Sequence, residues 1–284
     1  FTYVNGTLTV TKAVLTATAN NQTKVYGDAN PALTIAYTGF KNGETAAVIL
    51  TPPTASTTAT LTSSVGTYPI TLAGGLNGNY SFSFVNGTLT VTQATIVATA
   101  DNKTRVYGDP NPAFTITYTG FRNGETSAVI DLLATATSSA VATTGVGTYP
   151  IVPSGGSDNN YVITYANGTL TITQATLTVT ADNQTRAYGD VNPTLTVSYS
   201  GFKNSETSAV LTTLPTATTV AINTSIVGTY PIVPSGGVSG NYAFTYVNGT
   251  LTVTKAVLTA TANNQTKVYG DANPALTIAY TGFK

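Results

Sequence analysis

Tyr26, Tyr107, Tyr188 and Tyr269 each open a Tyr-Gly-Asp triplet, and successive triplets stand 81 residues apart. Other landmarks keep the same step: VGTYPI at Tyr68, Tyr149 and Tyr230, and NGTL at Asn5, Asn86, Asn167 and Asn248. No insertion or deletion interrupts this register, so the chain is a tandem array, and any fold proposed for it must close within 81 residues. The period divides the sequence into residues 1–12 (the last strand of a preceding module), modules 13–93, 94–174 and 175–255, and residues 256–284 (the first part of a following module). Phe1–Lys41 is identical to Phe244–Lys284, 243 residues or three periods later. A block of three modules has itself been repeated, and the expectation is a piece of a longer array.

Within a module the patterning is mostly that of strands. VLTATA and its equivalents TIVATA and TLTVTA alternate apolar and polar residues, as a half-buried strand does. ALTIAYTGF, VGTYPI, NYSFSF and TLTVT read the same way, and Thr, which favours half-exposed sheet faces, makes up about a fifth of the chain. Asn86-Gly87 lies between SFSFV and TLTVT, and an Asn-Gly pair there predicts a two-residue hairpin with positive φ at both positions. RNGETSAVIDLL is the one non-strand signal. Val129, Leu132 and Leu133 fall at i, i+3 and i+4, Glu125 sits in the first turn and Asn123 can cap, which predicts one short helix, with another strand as the competing reading. Almost nothing separates TLTVT from the next module's first strand, so a semi-rigid rod is expected. The fold class is mainly β: an array of small immunoglobulin-like β-sandwich modules, or alternatively β-grasp-like α+β modules with one short helix each.

The triplet belongs to a longer motif, YGDxNP, with Tyr26, Gly27, Asp28, Asn30 and Pro31 in the first module. The second carries Tyr107, Gly108, Asp109, Asn111 and Pro112, and the third Tyr188, Gly189, Asp190, Asn192 and Pro193. Each residue has a local reason to be there. Glycine takes the positive φ of a tight turn, aspartate bonds nearby amides, and proline holds the preceding asparagine extended at the start of a strand. The motif reads as a structural turn.

Taken together, YGDxNP, GF-x-NGET, VGTYPI and NY…NGTLTVT resemble the MBG family, in the variant marked by a Tyr-Gly-Asp motif, over every module from end to end. Members of that family occur in tandem in large secreted or surface-attached bacterial proteins, often described as adhesins or haemagglutinin-like. The resemblance implies a stalk or adhesive module and carries over no catalytic residue.

Chemistry is scarce. The chain contains no His and no Cys, which removes most triads, thiol chemistry and ordinary zinc sites. A carboxylate pair such as Asp109 with Glu125 reads as turn and cap, so no enzymatic activity and no cofactor are expected. Calcium is the alternative, through Asp28, Asn30 and the position held by Asn20, Asp101, Asp182 and Asn263. Lysine–asparagine cross-links are not expected, because Lys12 becomes Gln93 and Gln174, Lys24 becomes Arg105 and Arg186, and Lys41 becomes Arg122. All 17 tyrosines fall on five module positions, those of Tyr3, Tyr26, Tyr37, Tyr68 and Tyr80; packing is the expected role, a glycan-binding surface the other. Charged residues are 8% of the chain with a formal net charge of zero, so no basic cluster is available for nucleic acid. No apolar run is long enough to span a membrane. The expected setting is extracellular, at a cell surface, and the expected role a stalk, spacer or fibre segment. The expected partners are neighbouring modules, with surface glycans (an adhesin) or other copies of the chain (a filament or sheath) as alternatives.

Overall fold

The computed structural model describes residues 1–284. The chain divides into two compact units, one of residues 1–102, 114–137 and 150–169, the other of residues 103–113, 138–149 and 170–284. The division passes through module 2, so each unit holds one whole module, part of module 2 and the joint between them.

In the first unit, module 1 has seven strands: β1 Ala13–Ala19, β2 Gln22–Val25, β3 Ile35–Thr38, β4 Thr54–Thr57, β5 Gly66–Ala73, β6 Tyr80–Val85 and β7 Gly87–Thr92. They form two sheets, ordered β3-β1-β6 and β2-β7-β5-β4. Strand β1 runs antiparallel to β3 and parallel to β6, and β2 runs parallel to β7. Alternation makes the core: Leu15, Ala17 and Ala19 point inward from β1, Ile70 and Leu72 from β5, and Leu89 from β7, all nearly solvent-free. Ala17, Ala19, Ile70, Leu72 and Leu89 share one cluster, so the two sheets face each other as a sandwich. The intervening threonines of β1 and β7 take the half-exposed positions of the alternation. In the second unit module 3 repeats both sheets, Val197–Ser200, Ala175–Ala181 and Tyr242–Val247 in one, and Gln184–Ala187, Gly249–Thr254, Gly228–Ser235 and Thr216–Thr219 in the other. No helix is long and apolar enough to cross a membrane.

Two local expectations are corrected. The short helix is a single 3₁₀ turn, Ser127–Val129, capped by the hydroxyl of Thr126 rather than by Asn123. Ile130 leaves it with extended φ and ψ of −71° and 125° and is buried, while Val129, Leu132 and Leu133 are exposed. The apolar spacing that suggested a helical face marked residues that face solvent. With no helix to cross a sheet, the β-grasp alternative falls and the sandwich stands.

Asn86-Gly87 is not a hairpin. Strands β6 and β7 belong to different sheets, and neither residue has positive φ. The chain passes from one layer to the other there, and Gly87 lies so close to β1 that a Cβ on it would meet the Ala19 carbonyl oxygen at 2.5 Å. Glycine is needed for close approach, not for turn geometry. The Asn-Gly turn with positive φ is instead Asn42-Gly43, at 55° and 72°, closed by the Glu44 amide donating to the Lys41 carbonyl at 2.9 Å.

Candidate functional site at the module joints

The Tyr-Gly-Asp turn follows β2 and is held from within its own module. The Tyr26 amide donates to the Thr92 carbonyl at 2.8 Å, tying the turn to the end of β7, and the Asp28 amide donates to the Val25 carbonyl at 3.0 Å. Gly27 has φ of +81°, and Gly108 and Gly189 match it. The Asn30 side chain donates to the Ala59 carbonyl at 2.6 Å, as Asn111 does to Ala140 and Asn192 to Ala221. Beneath the turn lies a cation that is only 6% exposed, Lys24, Arg105 or Arg186 in the three modules. Its bonds go to backbone carbonyls and the motif asparagine: Arg105 Nε donates to Asn111 Oδ1 at 2.8 Å and Nη2 to the Val141 carbonyl at 2.6 Å. Lys24 Nζ donates to the Asp28 and Thr60 carbonyls. A buried charge must keep its hydrogen bonds, and here carbonyl dipoles supply them.

The turn's outer side faces the next module. In the first unit Tyr26, 4% exposed, donates its hydroxyl to Glu125 Oε1 at 2.7 Å, and Tyr161 donates to Oε2 of the same carboxylate at 2.5 Å. The Arg122 amide completes the arrangement by donating to the Tyr161 hydroxyl at 2.8 Å. The two rings meet edge to face, 5.4 Å between centroids and 84° between planes, and Phe121 packs on Tyr161 in the same manner. Around them Val91 of module 1 joins Ala94, Ile96 and Ile130 of module 2 in one buried cluster. The strand Ala94–Ala100, β8, begins one residue after β7 ends. That residue, Gln93, donates its side-chain amide to the Asp158 and Tyr161 carbonyls of module 2 at 3.1 and 3.2 Å.

The rim is polar. Asp28 and Arg122 pair at 3.4 Å, both about half exposed, and the Val65 amide donates to Asn160 Oδ1 at 2.9 Å. Gly27 sits directly against the Arg122 stem, where an added Cβ would come within 2.4 Å of Arg122 Cβ.

The second unit repeats the joint. Tyr107 and Tyr242 both donate to Glu206, each at 2.5 Å, with ring centroids 5.6 Å apart at 84°. Lys203 pairs with Asp109 at 2.9 Å, and the Val146 amide donates to Asn241 Oδ1 at 3.0 Å. In the third turn Asp190 pairs with Lys284 at 2.7 Å, which holds its carboxyl below the usual range. Tyr188 is 36% exposed.

Burial, and then the bond to Glu125 or Glu206, pushes the phenols of Tyr161 and Tyr242 up to about 12. Tyr26 is raised first by its bond to Glu125 and Tyr107 first by burial. A phenol bonded to a carboxylate and removed from water resists ionising, since phenolate beside carboxylate would be two like charges with no solvent between them.

Tyr26, Gly27, Asp28 and Asn30 thus hold the turn, and Tyr26 and Asp28 also reach the following module. Pro31 does not open the next strand as expected, since that strand begins only at Ile35. Tyr26 and Asp28 are half of a joint whose other half, Arg122, Glu125, Asn160 and Tyr161, was not assigned a binding role from sequence. One signal was available: glutamate follows each joint tyrosine at the same distance in register, in a chain with only 11 acidic residues. The residues weighed for calcium make contacts of their own. Asp28 is ion-paired with Arg122, Asn20 donates its side-chain amide to the Thr34 hydroxyl, and Asp101 accepts from the Thr115 and Thr117 hydroxyls. No three His, Cys, Asp or Glu side chains gather in one place.

The model of the family described as "MBG domain (YGX type)" matches residues 15–90, 96–171, 177–252 and 258–284. No curated protein matches the chain. Among solved structures, the I9–I11 tandem from titin matches at 13% identity over 84% of this chain and 97% of that one. Its TM-score of 0.21 is too low for the likeness to bear on fold or function. With that model matched once in each module and again at residues 258–284, the chain belongs to the MBG domain (YGX type) family, as a tandem array.

Proposed function

We propose that this array is a structural segment, a stalk, spacer or fibre length, of a long extracellular or cell-surface bacterial protein. The observation that supports it is the twice-repeated joint, in which the residues that mark the family serve to fasten one module to the next. A ligand site on the motif's ring would need Tyr26 accessible, and Tyr26 is buried against the neighbouring module. The segment is read as non-enzymatic and without cofactor, in keeping with a chain that has neither His nor Cys.

Single-molecule stretching tests the reading. A load-bearing segment gives unfolding peaks whose force falls when Tyr26→Phe and Tyr107→Phe cut the joints. Glycan-array binding by the full chain, combined with unfolding forces indifferent to those substitutions, would replace it with the adhesin reading.

A further inference from the structure

A strand at the rim of a sheet presents unpaired backbone groups to any other strand, unless shortness, proline or charge guards it. In module 1 the rim strands are β3 and β6 of one sheet and β2 and β4 of the other. Three of them are guarded. β2, β3 and β4 are only four residues long, β2 also holds the inward-pointing, buried Lys24, and Pro52 and Pro53 precede β4. β6 is different: it is six residues long, YSFSFV, with no charge, proline or glycine. Its equivalents Tyr161–Ala166 and Tyr242–Val247 share that length and lack all three. These strands lie in complete modules, so the open edge belongs to the repeat itself.

The backbone of β6 is used only at alternate residues. The Ala13 amide donates to the Asn79 carbonyl. The parallel register from Ala13 on Tyr80 to Thr18 on Val85 then turns the amides and carbonyls of Ser81, Ser83 and Val85 toward β1, and those of Phe82 and Phe84 away from it. No strand or loop bonds the outward-facing groups. Ile163 and Tyr165 stand the same way in module 2, and Phe244 and Tyr246 in module 3. Their side chains are partly in solvent: Phe84, Tyr165 and Tyr246 are 40%, 44% and 37% exposed. The Phe82 and Phe84 rings lie parallel, 6.3 Å apart. From the opposite face Ser83, Thr164 and Thr245 project exposed, each midway between the two outward-facing residues.

We propose that this edge is a self-association surface, on which the strand of one copy pairs antiparallel with the same strand of a second copy. A two-fold axis then passes through Ser83, Thr164 or Thr245. Phe82 faces Phe84 of the other copy, and the two exchange the amide-to-carbonyl bonds that both otherwise lack. A second copy fits because the strand is complementary to its own reverse. Ile163 likewise faces Tyr165 and Phe244 faces Tyr246, and such apolar cross-strand pairs stabilise antiparallel sheets. On the other face Ser81 meets Val85, Val162 meets Ala166 and Ala243 meets Val247, with a small hydroxyl side chain meeting itself at the axis. The result joins two three-stranded sheets into one continuous sheet by an isologous contact, separate from the joints between modules.

Sedimentation velocity of the full chain over a concentration series should show monomer passing to dimer and larger species. Axial residues in such a pairing stand about 4.5 Å apart between Cα atoms, so a charge placed there meets its own copy. The triple variant Ser83→Lys, Thr164→Lys, Thr245→Lys should stay monomeric where the wild type associates, and so should the triple variant with Glu at these positions. An equal mixture of the two should associate, because lysine then faces glutamate. All three side chains are exposed, so both variants should melt with the wild type. In the wild type, hydrogen exchange at the Phe82 and Phe84 amides and their equivalents should slow as concentration rises, a readout that needs no substitution. A wild type that is monomeric throughout, or an association that the lysine variant retains, overturns the proposal. So does a mixture that stays monomeric, or exchange at these amides that is indifferent to concentration.

Discussion

Replacing Tyr26 with Phe deletes one hydroxyl and leaves the ring to pack on Tyr161. The lost bond runs at 2.7 Å to a carboxylate oxygen, from a residue only 4% exposed. Net contributions of hydrogen bonds to charged groups are about 1.5–3 kcal/mol, and the upper part of that range applies when the orphaned partner is shielded from water. Glu125 keeps its bond from Tyr161, so one oxygen is orphaned rather than the whole carboxylate, which places the expected loss near 2 kcal/mol. The chain contains its own control. Tyr68 lies in the same module but donates its hydroxyl to the neutral Ser64 carbonyl through an exposed bond; Tyr68→Phe should cost less than about 1 kcal/mol.

Differential scanning calorimetry suits a protein without tryptophan. At about 4–8 °C per kcal/mol for a unit of 60–100 residues and about 2–4 °C for 150–250, a fall of 8 °C or more means module 1 melts alone. A fall of 4–8 °C means two modules melt together. Equal shifts for Tyr26→Phe and Tyr68→Phe would refute the reasoning, because the bond to Glu125 would then contribute nothing beyond an exposed one.

Further outcomes follow from the same geometry. Ser205 sits at φ +60° where the other modules have Gly43 and Gly124, so Ser205→Gly should stabilise module 3 by about 1 kcal/mol, seen as a higher denaturant midpoint at constant slope. Gly87→Val should destabilise module 1 by about 3 kcal/mol or more, since its Cβ would be driven into the Ala19 carbonyl; a near-neutral result in chemical denaturation would contradict the close approach. The phenols of Tyr161 and Tyr242 are raised to about 12 in the folded state from about 10 unfolded. Their contribution is therefore complete below pH 10 and is lost as pH rises toward 12, by about 2.7 kcal/mol for each group if the whole two-unit shift is realised. Denaturation at pH 9 and pH 11.5 should show this fall, and Tyr161→Phe should shrink it.

Much of the fold was legible in the residues because it is local. The period, the module limits and the strand character of VLTATA or TLTVT are written in spacing and alternation, and alternation also marked Leu15, Ala17 and Leu89 as inward-facing. The misreadings have one physical source. Asn-Gly and a run of spaced apolar residues state what backbone geometry is affordable, not which edge a strand will pair with. Asn86-Gly87 satisfies the hairpin rule as well as Asn42-Gly43 does, yet only the latter turns back on itself. At Gly87 the decision belongs to Ala19, 68 residues earlier, whose carbonyl leaves no room for a side chain.

By itself the sequence determined a β-rich array with an 81-residue period, free of His and Cys, in which YGDxNP had to form a tight turn. Tertiary structure decided which sheet each strand joins and what the turn is for. Tyr26 needs a carboxylate that lies 99 residues away in the following module. Only the packing of β8 directly after β7 brings the two together, where one carboxylate accepts from a buried tyrosine of each module.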